Sequence, residues 1–109
     1  MQMIISEKKN ENDNPVIVLQ GEMIINNIAE CLEVILDKLT SEKPIQIDLL
    51  DVNKIDTAGL QLLLAARNSR KNDNMDVELI NPSSEVERIF NLYGLEVVSY
   101  AKISCESGQ

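Results

Sequence analysis

Six consecutive residues, Ile55-Asp56-Thr57-Ala58-Gly59-Leu60, place a carboxylate, a hydroxyl and a glycine between an apolar strand-like run and an apolar helical run. Short polar side chains at a strand-to-helix switch accept hydrogen bonds from the unpaired N–H groups of the first helical turn. The same switch leaves a hydroxyl exposed beside the positive end of the helix dipole, where an anionic group is tolerated. Thr57 therefore reads as a structural cap, a phosphorylation site, or both. Asp56 reads as an N-cap or loop-stabilising carboxylate, and Gly59 as a point of close packing or unusual backbone angle.

Little else in the chain is reactive. Its 109 residues include no His, which removes the usual general base and the commonest metal ligand. Cys31 and Cys105 match no zinc or redox spacing and are read as reduced thiols, Cys31 packed and unreactive beside an apolar stripe. With no nucleophile–base pair, metal cluster or phosphate loop, an enzyme is not expected, nor is a cofactor or metal. A net charge of −8 and 3% aromatic residues argue against nucleic acid, because phosphate neutralisation and base stacking both lack their groups. Hydrophobic residues at 44% and charged residues at 26% suit a soluble globular domain with a core of its own. No apolar run reaches membrane-spanning length and Met1 to Asn14 does not read as a signal peptide, so a cytoplasmic protein without direct membrane insertion is expected.

The elements that must hold the Asp-Thr-Ala-Gly run follow from periodicity. Met3 to Ile5 and Pro15 to Leu19 read as strands joined by the polar turn Lys8 to Asn14, with Gly21 breaking the strand pattern. Ile28, Leu32, Ile35, Leu36 and Leu39 fall on one helical face, with Asn26 or Asn27 as the cap. Ile45 to Leu49 alternates like a strand. A helix is expected from about Ala58, with Leu60, Leu63 and Leu64 inward and Arg67, Arg70 and Lys71 as a solvated end opposing the dipole. Asp76 to Ile80 reads as a strand. Asn81-Pro82 then opens a helix with Val86, Ile89, Phe90 and Tyr93 inward and Gly94 as its stop, and Arg88 is expected to pair with Glu85 or Glu87. Glu96 to Ala101 is undecided between a strand and a turn of helix, and the tail from Ser104 is expected to fray.

Strands alternating with helices imply parallel neighbours joined by crossovers, and the opening hairpin adds an antiparallel pair. The expected fold is a single α/β domain over residues 1–109, with its core between about 3 and 100. Its mixed, mostly parallel sheet carries helices mainly on one face.

The run Ile47-Asp48-Leu49-Leu50-Asp51-Val52-Asn53-Lys54-Ile55-Asp56-Thr57-Ala58-Gly59-Leu60 resembles the signature of STAS domains, the family of sulfate-transporter cytoplasmic domains and anti-sigma factor antagonists. Gly21-Glu22 resembles that family's Gly-Glu-Leu-Asp loop, with Met23 and Ile24 in place of Leu and Asp. Asn81-Pro82-Ser83, then Val86, Arg88, Ile89, Phe90 and Gly94-Leu95, resembles its third helix and following turn. The resemblance covers roughly Met3 to Tyr100.

It implies a partner-binding module. In bacterial anti-sigma factor antagonists the unphosphorylated domain binds an anti-sigma factor kinase, which phosphorylates the hydroxyl after the signature Asp, and a PP2C-type phosphatase reverses this. That hydroxyl aligns with Thr57. The implied partner surface comprises Gly21, Glu22, Met23, Ile24, Asp56, Thr57, Ala58, Gly59 and Leu60. Sigma-cascade antagonists commonly carry Ser followed by Ser or Thr. Thr57-Ala58 instead resembles chemotaxis-cluster STAS adaptors and the STAS subunit of a phospholipid ABC transporter, which binds its ATPase.

Overall fold

The computed structural model describes residues 3–38, 44–68 and 77–97. The elements run β1 Ile4–Lys9, β2 Pro15–Met23, α1 Ile28–Lys38, β3 Ile45–Ile55, α2 Thr57–Asn68, β4 Val77–Ile80 and α3 Ser84–Leu92. The sheet order is β1-β2-β3-β4, with β1 antiparallel to β2 and the remaining pairs parallel. This is the expected mixed α/β architecture.

Residue alternation explains the layering. Ile17 pairs with Ile47 and Ile47 with Leu79, and this row is almost completely excluded from water. Side chains one residue along, such as Val18 and Ile80, are half-buried, as period-two strands require when helices cover one face. Ile5 joins the inner face beside its partner Leu19. Lys38, at the end of α1, pairs with Glu7 of β1 and ties helix to sheet edge. The ammonium of Lys38 holds the Glu7 carboxyl below its ordinary range through a hydrogen bond and direct attraction.

The strands extend beyond their expected ends. Gly21 does not end β2. Its φ of 109° lies where a side chain is disfavoured, and the register with β3 shifts between Val18 and Gln20 and again between Gly21 and Glu22. The irregular ladder carries β2 on to Met23, paired with Ile55 at the end of β3. Both strands therefore reach the start of α2.

Three helical faces depart from the simple stripe. In α1, Cys31 and Ile35 are buried while Leu32 and Leu36 are 37% and 52% exposed. Apolar residues flank both sides of that helix, so periodicity could not choose its buried edge. In α2 the inward side chains are Leu60, Leu62, Leu63 and Ala66, with Leu64 half-buried. In α3, Val86, Ile89 and Phe90 are buried, but Tyr93 is 52% exposed and not part of the core. Tyr93 is the C-cap, where the chain leaves helical geometry and its side chain leaves the inward stripe.

The ends of α3 are closely specified. Ser83 Oγ accepts from Val86 N at 3.3 Å as the N-cap. Gly94, at φ 71°, closes a Schellman turn in which Gly94 N donates to Asn91 O and Leu95 N to Phe90 O. Arg88 pairs with Glu85 at 3.1 Å. Arg67 is no solvated helix end. Its guanidinium donates to Glu96 O at 2.7 Å and Val97 O at 2.9 Å and lies 5.7 Å from the Phe90 ring centroid. Arg70, Lys71, Asp76, Leu39, Cys105 and everything from 98 onward lie outside the described residues.

Candidate functional site

The site is built at the carboxyl ends of β2 and β3. Asp56 stands between β3 and α2, and its backbone N–H donates to Met23 O at 3.2 Å, closing the two strand ends together. One carboxylate oxygen accepts from Gly59 N at 3.2 Å, while its carbonyl accepts from Leu60 N, which makes Asp56 the N-cap of α2. The other carboxylate oxygen accepts from Ile25 N at 3.0 Å in the loop after β2. One carboxylate therefore fixes both loops, with its negative charge at the favourable end of the helix dipole.

Gly59 is required by close approach. A Cβ there would sit 2.4 Å from the main-chain oxygen of Met23 and 2.8 Å from the side-chain Cγ1 of Ile55, both too close for ordinary contact. The helix start is pressed directly onto the end of β2. The loop between Met23 and α1 is tightened further by Asn27, whose side-chain amide donates to Glu22 O at 2.8 Å and whose carbonyl accepts from Cys31 N.

Thr57 follows as the first residue of α2 and is exposed, so capping belongs to Asp56. The Thr57 hydroxyl lies 3.3 Å from the Tyr93 hydroxyl, a contact that joins the start of α2 to the end of α3. The residues singled out from the sequence divide by depth. Glu22, Ile24, Asp56, Thr57 and Ala58 reach the surface, whereas Gly21, Met23, Gly59 and Leu60 are buried and set its shape from beneath. The surface expected from the sequence stops at Ile24 and leaves out Ile25, 67% exposed beside Asp56, and Tyr93. The apolar run Met23-Ile24-Ile25 was a signal for the first; the helical period placed the second in the core.

A second carboxylate on β3 also ties elements together. Asp48 is 8% exposed and accepts from Leu50 N at 3.0 Å and from the Asn81 amide at 3.3 Å. It thereby joins the β3 irregularity to Asn81, whose φ of 51° turns the chain from β4 towards α3. Among the described residues no group of three or more His, Cys, Asp or Glu is placed to hold a metal ion, and no helix is long and apolar enough to cross a membrane.

This arrangement of strand ends, capped helix and exposed hydroxyl coincides with a match over residues 7–100 to the family model described as Mlab, STAS domain. The chain belongs to the STAS family. Similar solved structures agree on the fold of this STAS protein. The anti-sigma factor antagonist SpoIIAA in its unphosphorylated form is 18% identical, covers 97% of this chain and 98% of its own, and superposes with a TM-score of 0.68. Part of Mglu is 22% identical over 74% of this chain but only 20% of Mglu, with a TM-score of 0.58. A Shewanella loihica protein with a SpoIIAA-like fold is 11% identical over 84% of this chain and 76% of its own, with a TM-score of 0.51. A comparison with curated proteins gave no match.

Proposed function

We propose that this STAS protein is a non-catalytic, cytoplasmic regulator of the anti-sigma factor antagonist type. It binds a kinase-type anti-sigma factor through the surface around Thr57, and phosphorylation of Thr57 releases that partner. A PP2C-type phosphatase restores the binding form. The observation that carries the reading is the exposed Thr57 hydroxyl on a helix start that Asp56 and Gly59 hold rigid. A phosphoryl group there adds about −1.5 to −2 charges. Because the supporting contacts come from Asp56 and the backbone, the added charge alters the surface without dismantling the fold. New charge and bulk in a docked interface abolish binding by repulsion and desolvation.

A second reading is favoured by Ala58, which gives Asp-Thr-Ala-Gly in place of a Ser-Ser or Ser-Thr pair. Here the protein is a constitutive subunit seated on the ATPase of a phospholipid ABC transporter, or an adaptor of chemotaxis type, with Thr57 inside the interface. An affinity pull-down from native cells combined with phosphopeptide mass spectrometry separates the two. The regulator brings down a kinase and carries phosphate on Thr57; the transporter subunit brings down a membrane ATPase and does not. Recovery of neither a kinase nor phosphorylated Thr57 overturns the leading reading.

A further inference from the structure

We propose that Tyr93 is the phosphate-holding partner of Thr57, its phenol hydroxyl passing from the free Thr57 hydroxyl to the phosphoryl oxygens once Thr57 is modified. This inference rests on the reading of Thr57 as a phosphoacceptor and deepens it. The two hydroxyl oxygens are 3.3 Å apart across elements separated by 36 positions in the chain. The pair is no accident of a loose chain end. Tyr93 N donates to Phe90 O at 3.1 Å, Leu95 N returns to the same carbonyl at 2.8 Å, and Phe90 is completely buried. The backbone under Tyr93 is thus held by a Schellman turn rooted in the core, and the phenol projects from it beside Thr57.

Phosphoryl transfer from a nucleoside triphosphate forms a bond between Thr57 Oγ1 and the γ-phosphorus. It breaks the bond from that phosphorus to the bridging oxygen of the departing nucleoside diphosphate, and the threonine hydroxyl proton is released. Oγ1 can then no longer donate, and as an ester oxygen it is a poor acceptor. The phosphoryl group brings three strong acceptor oxygens into the space the phenol borders. A neutral O–H that donates to an anionic oxygen makes a charge-assisted bond, stronger than the hydroxyl pair it replaces. Asp56 cannot serve, since its carboxylate only accepts and already holds Ile25 N and Gly59 N. Tyr93 therefore offsets the repulsion between Asp56 and the new phosphate, and its exposed ring is repositioned within the partner surface.

The test uses the full chain with phosphothreonine installed at position 57 by translational incorporation, as Tyr93 and Tyr93→Phe versions in a Tyr100→Phe background. The expected result is a ³¹P NMR titration in which the second phosphate ionisation shifts upward in Tyr93→Phe, because the lost donor favoured the dianion. The Tyr93 ring resonances should also move on phosphorylation, while both unmodified versions melt alike because the phenol is half-exposed. Coincident ³¹P titrations together with unmoved ring resonances overturn the proposal. Since the phosphate enters with the incorporated phosphothreonine, this result is independent of whether a cellular kinase modifies Thr57, which the pull-down reads separately.

Discussion

The Asp56 carboxylate accepts the backbone N–H of Ile25 across 31 positions of sequence while capping the helix that begins beside it. A single side chain thus sets the relative position of two loops that meet at the candidate binding surface. Replacing Asp56 by Ala removes an N-cap and leaves Ile25 N without its acceptor. A loss of about 2 kcal/mol is expected from denaturant unfolding. Asp56→Asn, with one carbonyl oxygen for two N–H groups, should fall between wild type and Ala.

Gly59→Ala should destabilise more than a helix substitution ordinarily does. Alanine has the better helix propensity, so at an open site the change would stabilise. Here its methyl meets the Met23 carbonyl, which is main chain within a strand and cannot step aside. Equilibrium urea unfolding should show a loss of about 1–3 kcal/mol, and backbone amide shifts should report a displaced start of α2.

Thr57→Glu and Thr57→Val should both keep the wild-type melting temperature, since Thr57 is exposed and Asp56 provides the cap. The two differ in binding. Glu should weaken capture of the partner strongly, whereas Val, which keeps shape and adds no charge, should retain most of it. Calorimetry and pull-down on the same preparations check both statements.

Cys31 should be inert in the folded protein. Burial disfavours the thiolate and pushes its pKa to about 11 from 9.0. In a Cys105→Ser background, a disulfide reagent at neutral to mildly alkaline pH should modify Cys31 far faster in urea than in buffer. The sign for stability follows. As pH rises through the unfolded value the unfolded chain loses its proton first, so this thiol's contribution to stability falls with increasing pH until the folded value is passed.

Arg67→Met should loosen the segment after α3. The guanidinium bonds to two successive carbonyls and lies over Phe90, while burial lowers its pKa. Hydrogen exchange should rise at Leu95 to Val97, with a global loss of about 1 kcal/mol. Arg67→Lys should recover only part of this, since an ammonium lacks the planar fork.

The order of strands and helices, the antiparallel opening hairpin and the turn at Gly94 were legible because they depend on local periods and local φ preferences. So was the importance of Asp56 and Gly59, whose residue types suit a helix start pressed onto a strand. Which way a flanking residue turns was not legible. Leu32 and Leu36 share a stripe with Ile35, yet only Ile35 is buried, because the packing of α1 against its neighbours selects one edge of a broad apolar face. Arg67 looked like a charge for the dipole until the chain after α3 folded back to meet it.

The sequence by itself determined the Ile55–Leu60 switch: a cap, a hydroxyl and a glycine where a strand gives way to a helix. Tertiary structure decided what each does. Asp56 caps and clamps, Gly59 admits the Met23 carbonyl, and Thr57 is left exposed with Tyr93 beside it. The reason is physical. Capping and backbone preference act over a few residues and leave a trace in local order, whereas the meeting of Thr57 and Tyr93 depends on how two helices sit on one sheet, which no local period records.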